Sequence, residues 1–461
     1  MSINGLLYTA RDALTSNQMA IDITGGNIAN VNTPGYSRQR TELKADGNVN
    51  VSGASAQIGV IVTKIERLYD RFIEAKIIDQ QQNTGYSDEF LKGLRNIEGM
   101  IDDTQGGGIN DQLSQFWAAW GDLAKNPESR VARNTLVSVS ENLIGSIASY
   151  KRNLDTTTTD LSRGITGAAA EINEKVREIA DLTVRINEIT AESGEKNDLL
   201  DKRTQALKDL GALINVTSFE NADGTLNIFL ANGEPLLQKT LQQTLSVTIR
   251  ADGRSDIYSS NLPGETVNGA ITGGKLGALL ELQTTTIPKY ISYIEGFTGS
   301  LADRVNELHR NGFDAYSNTG LDFFEVPEAS NKAGTIRVNT AITTDVNRIA
   351  ASTSVNGNGD NASLIATIQN ELLMNDNMAT LSGFLGGTVG QIGQQVSIAQ
   401  TNSDRQSVIA NILNNQRESV SGVSIDEEMI RLIKYQMGYN AAGKLVTVVS
   451  EMLDTLMGLV K

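Results

Sequence analysis

The chain is 461 residues long, about three times a typical domain, and its formal charge of −15 opposes nucleic-acid backbones and anionic lipid where no basic patch is present. Zero cysteines remove disulfides, thiol nucleophiles and thiolate metal sites, and a single histidine, His309, removes the commonest zinc and general-base constellations. Only 5% aromatic residues beside 39% hydrophobic ones point to long polar-faced helices more than to an aromatic-rich enzyme.

In chain order, Ile3, Leu6, Ala10, Leu14, Asn17, Ile21, Thr24 and Ile28 recur at steps of three and four, which predicts an N-terminal helix. Leu7, Ala13, Met19 and Ile23 widen its apolar surface beyond one stripe. After Asn30 the period becomes two: Tyr36, Arg38, Arg40 and Glu42 alternate with Ser37, Gln39, Thr41 and Leu43, and extended chain continues through IGVIVTKIERL. Between the two lies NTPGY. Pro34 fixes φ for the first central position of a type II turn and Gly35 supplies the positive φ of the second. Asn30 and Asn32 suit a helix end, through left-handed or side-chain-bonded conformations.

Helical spacing returns from Tyr69 to about Met100, breaks at QGGGIN, and resumes with Phe116, Trp117, Trp120 and Leu123, which read as core. Asn126 and Pro127 read as the cap and first residue of the next helix. Ile172, Val176, Ile179, Leu182, Ile186 and Ile189 give a coiled-coil-like seam. Past the break ESGEKND, Leu199, Leu207, Leu210 and Leu213 complete a helical hairpin. From about Ala212 to Gly269 short alternating runs flank Asp223-Gly224, a hairpin signal. Helix is expected again from Gly274 to Asn311, broken near Pro288, then extended chain at FFEVP and GTIRVNT, a loop at VNGNGDN, and interrupted helix from Ala362 onward.

The fold class expected is α+β multidomain with nested architecture. Residues 1–68 with 422–461 form paired N- and C-terminal helices plus an extended segment. Residues 69–211 with 273–312 and 362–421 form a long helical-bundle domain, 212–272 a small inserted β-rich domain, and 313–361 a short extended segment packing on either.

Candidate chemical sites have plainer readings. Gly269 to Lys275 has P-loop spacing but Leu276 stands where the magnesium-binding hydroxyl belongs, so a helix start is the better reading. His309 lies on the apolar run Leu301, Val305, Leu308 and reads as structural. Asp426 to Met429 offers paired carboxylates, yet Ser424 with Glu427 reads as a capping box. The last helix differs: Ile425, Met429, Leu432, Gln436, Tyr439, Gly443, Val446, Val449, Leu453, Leu456 and Val460 form one near-heptad stripe, while Ile430, Ile433, Met437, Leu445, Val448 and Met452 form a second. Two stripes require more than one neighbour. No basic start with an apolar run and cleavage site opens the chain, so no cleaved secretory signal is expected. The stretch Leu445 to Val460, with Glu451 and Asp454, is too short and charged to span a bilayer.

The run NIANVNTPGYSRQR, Asn27 to Arg40, resembles the N-terminal motif of the bacterial flagellar axial proteins, the family of rod, hook and hook-associated proteins. The run Ser421 to Leu459 resembles that family's terminal helix. Interior runs such as FWAAWGDLAKNPESRVARNTLV, NDLLDKRTQALKDLGALINV and ADGTLNIFLANGEPLL resemble its hook-associated members, across nearly the whole chain but without the large outer insertion of longer ones. The resemblance implies a structural flagellar component and no enzyme, with no cofactor and no metal. It implies a ring of copies at the hook tip that joins hook to filament, and as partners itself, the hook protein, the second junction protein and a flagellar export chaperone, with no nucleic acid and no membrane. It also implies a place in the extracellular flagellum, reached by the flagellar type III apparatus without signal cleavage. The motif residues Asn27, Asn30, Thr33, Pro34, Gly35 and Tyr36 would then shape a corner. Ile3, Leu6, Leu14, Ile21 and Ile28 with Met429, Leu432, Val446, Val449, Leu453 and Leu456 would be assembly positions. Other axial proteins of the family, or a helical-stalk adhesin, are the alternatives; the adhesin explains the β-rich middle but not the terminal motifs.

Overall fold

In the computed structural model, which describes residues 3–51, 54–101, 108–189, 193–355 and 357–459, the first helical period is α1 (Ile3–Ala29). The alternation after the turn is a two-stranded antiparallel ribbon of β1 (Gln39–Val51) and β2 (Ala54–Arg67), with one register shift between Glu42 and Leu43. Ser37 and Gln39 are buried and Arg40 and Glu42 exposed, the alternation a half-buried strand demands.

Helices α2 (Arg71–Ile101) and α3 (Ile109–Lys125) flank the glycine break, of which Gln105 to Gly107 lie outside the described residues. Asn126 closes α3, its N–H directed at the carbonyls of Asp122 and Leu123. Ser129, not Asn126, caps α4 (Arg130–Glu188), accepting from Ala132 N at 3.2 Å. Pro127 occupies the second position of a turn closed by Ser129 N on Asn126 O at 3.0 Å. Its fixed φ suits that position as well as a first helical one, which is why the sequence misplaces the boundary. The coiled-coil-like stretch of α4 buries Ile172, Val176, Ile179, Leu182 and Ile186, and α5 (Gly194–Leu213) returns along α4 as the second arm of the hairpin. Glu192 of the intervening break lies outside the described residues, and Ser193 caps α5.

The β-rich middle is a four-stranded antiparallel sheet, β3 (Thr217–Glu220), β4 (Leu226–Phe229), β5 (Pro235–Lys239) and β6 (Leu241–Gln242), followed by the hairpin β7 (Leu245–Ile249) and β8 (Ser255–Ser259). Gly224 (φ +78°) sits in the β3–β4 turn. Helix α6 (Gly274–Glu281) runs through a π-helical turn, Leu282–Thr286, into α7 (Ile287–Asn311). The break expected at Pro288 is therefore a widening: the looser turn absorbs the missing proline N–H without interrupting the helix. Inside that turn the fully buried Gln283 accepts from Ser255 N and donates to Ser162 Oγ, both at 2.8 Å, fastening the β7–β8 hairpin to α4.

Beyond α7, β9 (Phe324–Glu325) pairs with β10 (Arg337–Val338), and α8 (Lys332–Thr335), α9 (Thr340–Thr344) and α10 (Asp360–Thr367) precede two long helices, α11 (Leu381–Ser421) and α12 (Ile425–Leu459). Asn356, within the expected loop, lies outside the described residues. The result is an α+β multidomain chain: α11 packs on α2, and α12 returns to α1 at the other end of the sequence. No helix among the described residues is long and apolar enough to cross a membrane.

The core of the helical body is aromatic where α3 meets the segment after α7. Trp120 lies 5.1 Å from Phe323, which lies 4.9 Å from Phe324, and His309 packs edge-on to Trp120 at 6.4 Å. The His309 Nδ1–H donates to Leu321 O at 2.7 Å while Ala350 N–H donates to Nε2 at 2.9 Å, a pair of partners that only a neutral ring can satisfy. Burial accordingly depresses its pKa from 6.5 to about 4. Between those values the unfolded chain takes up a proton that the folded chain refuses, so this contribution is complete above pH 6.5 and is lost as pH falls toward 4. As the chain's one histidine, its ring gives a single imidazole NMR signal; that signal should stay neutral down to about pH 4, and titration near 6.5 would contradict the burial described.

Candidate functional site

The chain turns from α1 into the ribbon through a type II turn: Tyr36 N donates to Thr33 O at 3.2 Å, Pro34 and Gly35 are central, and Gly35 takes φ +80°. Asn30 ends α1 through its side chain, donating from Nδ2 to Gly26 O at 3.0 Å, and neither Asn30 nor Asn32 adopts a left-handed backbone. Thr33 Oγ1 donates to Asn30 Oδ1 at 3.0 Å and tightens the same loop.

Asn27, buried in the last turn of α1, is the hub. Its Oδ1 accepts from Tyr36 Oη at 2.9 Å and from Gln39 N at 3.0 Å; its Nδ2 donates to Gln39 O at 2.8 Å and to Glu428 Oε2 at 2.9 Å. Glu428, in the first turn of α12, is only 1% exposed. Arg38 of the turn supplies the compensating charge, its Nε 2.9 Å from Glu428 and its Nη2 2.8 Å from Glu427. Of the carboxylates of Asp426 to Met429, Glu427 and Glu428 thus serve α1 and the turn. Glu427 pairs with Arg38 in place of the capping box with Ser424, because a guanidinium offers a charge-assisted bond.

Below the turn the body answers with more buried charge. Asp201 of α5 accepts from Ser37 N, Ser37 Oγ and Arg67 Nη1, each at 2.8 Å; burial raises its pKa, against the pull of Arg67 and the Ser37 bonds. Glu74 of α2, 2% exposed, lies between Arg417 Nε of α11 at 2.8 Å and Lys208 Nζ of α5 at 2.6 Å. Burial lowers the pKa of Lys208, and Glu74 works against that shift. Arg417 Nη2 also donates to Tyr36 O at 2.8 Å, and Arg38 N to Ser421 O at 2.9 Å. Burial raises the pKa of Tyr36, with Asp198, Asp201 and Glu428 adding to the shift. Every long terminal element is therefore tied to the body at this corner.

Helices α1 and α12 run antiparallel: Asn27 meets Glu428, and Asn17 meets Gly438. The seam is made of small and polar residues. Ala10, Ser16, Ala20, Thr24 and Asn27 are buried on α1, where Ser16 Oγ also donates to Val60 O of β2 at 2.8 Å; Glu428, Ala442 and Val449 are buried on α12. Of the large residues expected to pack, Ile3, Leu6, Leu14, Ile21, Ile28, Leu432 and Val446 are half-buried and Val449 is buried, whereas Met429, Leu453 and Leu456 are exposed. The second stripe, Ile430, Ile433, Met437, Leu445, Val448 and Met452, is exposed throughout, Met437 by 67%. Val460 lies outside the described residues.

Among the uncovered residues of α12, Ile425, Met429, Ile433 and Met437, then Leu445, Val448, Met452 and Leu456, mostly step by four. Each step of four overshoots a helical turn by about 40°, so the strip winds about 220° around α12 along its length. No single straight neighbour covers such a strip.

The other candidates fall into packing roles. Gly274 (φ +66°) opens α6 so close to Ile214 that a Cβ would stand 2.4 Å from its N, and Lys275 Nζ pairs with Glu171 at 3.3 Å. Trp117 and Trp120 are buried in the aromatic core. Asp201, Glu74, Arg417 and Lys208 carried no signal in the sequence, because charged residues at helical spacing read as solvated until the fold buries them.

Residues 94–324 match the family described as the flagellar hook-associated protein FlgK helical domain. Residues 7–36 match the flagella basal body rod protein family, and 415–459 match the C-terminal family of flagellar basal body rod FlgEFG proteins. Flagellar hook-associated protein 1 of Bacillus subtilis (strain 168) is 25% identical over 97% of this chain and 96% of its own; that of Salmonella typhimurium is 24% identical over 99% and 100%. The flagellar hook junction protein FlgK from Burkholderia pseudomallei shares the fold with a TM-score of 0.68, at 15% identity, over 75% of this chain and 100% of that one.

The corner makes a stability prediction. Glu74→Gln leaves Lys208 buried without its paired carboxylate and Arg417 with Glu418 alone, and should cost about 3–5 kcal/mol, read as a lower urea midpoint. Asp160→Asn, which breaks an exposed pair with Arg163, should leave the midpoint nearly unchanged.

Proposed function

The chain belongs to the flagellar hook-associated protein family, and from that membership we propose that it is a structural part of the flagellum, forming the junction between hook and filament as a ring of copies at the hook tip. The observation that carries the assembly reading is the winding apolar strip of α12, which one chain leaves bare and which several neighbours would cover. Residues 1–68 with 422–461 act in this reading as the axial unit. Residues 69–211 with 273–312 and 362–421 act as the helical body, 212–272 as its β-rich insertion, and 313–361 as a segment packed on the body.

Ile3, Leu6, Leu14, Ile21 and Ile28, with Met429, Leu432, Val446, Val449, Leu453 and Leu456, share their surface between the α1–α12 seam and adjoining subunits. Asn27, Asn30, Thr33, Pro34, Gly35 and Tyr36 set the angle of the corner. The hook protein and the second junction protein are the neighbours along the axis, and an export chaperone covers the C-terminal strip before the flagellar type III apparatus delivers the uncleaved chain to the cell exterior. The role is mechanical and uses no catalytic group.

Deleting Met1 to Val31 removes α1 and Asn27 and should abolish incorporation at hook tips, scored by imaging of labelled chain; incorporation at the undeleted level would refute the reading. Amide hydrogen exchange over residues 3–29 and 425–459 should slow on assembly, and equal protection in free and assembled chain would refute burial of these helices by neighbours.

A further inference from the structure

Three helices of the body each carry a bending element. On α4 the residues Thr156, Thr157, Thr158 and Thr159 stand in a row near the middle of its 59 residues, each hydroxyl donating to the carbonyl four positions back at 2.9–3.2 Å. Threonine is a weak helix former, and bonding of this kind loosens and bends a helix. The continuous run of α6 and α7 contains the π-helical turn Leu282–Thr286 with Pro288 just behind it. Helix α11 contains Gly386, Gly387, Gly390 and Gly393; at the first three a Cβ would meet nothing within 4 Å, so packing does not demand glycine there. Prolines, π-turns and pairs of small residues such as glycine are where helices kink.

The three elements lie at one level of the bundle. Thr157 Oγ1 is 3.7 Å from Met100 Sδ of α2, and Gln283 of the π-helical turn donates to Ser162 Oγ of α4 at 2.8 Å. Tyr290 and Tyr293 of α7 donate to Gln395 and Gln391 of α11 at 3.0 and 3.4 Å, and a Cβ on Gly393 would stand 3.7 Å from Glu98 of α2. Packing is thin at that level. Over residues 148–160 Leu154 is the one buried residue of α4, against six over residues 161–172. Among the described residues two clefts of about 460 Å³ each adjoin this stretch: one lies at Tyr150, Tyr293 and Val389, the other at Thr157, Ile97 and Leu279, and Met100 lines both. Ser149 and Asn153 of the first cleft and Thr157, Asp160 and Gly164 of the second continue one row along α4 at steps of three and four, so both clefts lie on the same face of that helix.

We propose that the helical body bends at this level, as two stiff halves joined by a flexure made of Thr156–Thr159, the π-helical turn and Gly390. One half is built on α3 and α8 to α10, the other on α5 and the β-rich insertion. Rotation toward the shared face of α4 narrows both clefts, and rotation away from it widens both. A close-packed interior resists such motion because its side chains have no room to move; a void beside a weakened helix lowers that resistance. The property belongs to the single chain and does not depend on the ring-assembly reading.

The test uses the full-length chain, whose lack of cysteine lets one introduced pair carry the only two spin labels. Asn153→Cys with Val389→Cys spans the first cleft and Asp160→Cys with Lys92→Cys the second; Glu174→Cys with Lys202→Cys, on the α4–α5 hairpin, is the control within one half. All six positions are exposed. Electron paramagnetic resonance should give broader distance distributions across both clefts than for the control pair. Amides over residues 154–160 should exchange faster than those over 136–147 and 165–176. Thr156→Ala with Thr159→Ala should slow exchange over residues 154–160 about tenfold through helix propensity. With Gly390→Ala added, both cross-cleft distributions should narrow to the control width. Thr401→Ala, which removes a threonine bonded in the same way further along α11, should leave those widths unchanged. Cross-cleft distributions as narrow as the control, exchange over 154–160 no faster than in its flanks, or a stiffened variant whose cross-cleft widths stay at the wild-type value would each overturn the proposal.

Discussion

A carboxylate at the foot of the last helix organises the molecule. Glu428 is almost fully withdrawn from water, and a buried charge survives only with a counter-charge and hydrogen-bond donors around it. Arg38 and Asn27 supply both, which obliges the end of α1, the turn and the start of α12 to share one small volume. Once these are fixed, the remaining bonds of Asn27 set the entry of β1, and the carbonyls of Tyr36 and Ser421 fall within reach of Arg417 and Arg38. The direction of the terminal helices relative to the body follows from a few side chains, with no residue of α1 or α12 in the large apolar core among the described residues.

The division of labour between elements follows the same logic. The body is held by a continuous core from α2 to α11, with an aromatic centre at Phe116, Trp120, Phe323 and Phe324. Among the described residues the terminal pair has no comparable core: alanine, serine, threonine and glycine are buried along α1 and α12, and most of the large side chains are half-buried or exposed. A close seam of small residues buries little apolar area, so the stability of the pair leans on the polar corner and on whatever covers the outward faces.

Local chemistry was legible and long-range pairing was not. The turn could be read because Pro34 and Gly35 have conformational demands that few other structures meet, and the α4–α5 hairpin because its apolar period runs unbroken. The small residues buried on α1 and α12 escaped the sequence for a physical reason: periodicity counts large apolar residues, whereas Ala10, Ala20 and Ala442 are buried without contributing to such a count. The Ser129 cap and the π-helical turn before Pro288 show the same limit on a smaller scale, since proline admits more than one local solution. Buried ion pairs such as Glu74 with Arg417, 343 residues apart, leave no trace in local sequence at all.

The Asn27 to Glu428 bond spans 401 positions of sequence. A chain made from its N-terminus therefore completes α1, the turn, the ribbon and the whole body before the residue that closes the corner exists. Closure therefore cannot precede Glu428, and it joins two parts of the chain far apart in sequence, a slow kind of contact to form. Until then α1 has its seam bare and Arg38 lacks its counter-charge. The corner is in effect a clasp that only a chain extended as far as Glu428 can shut.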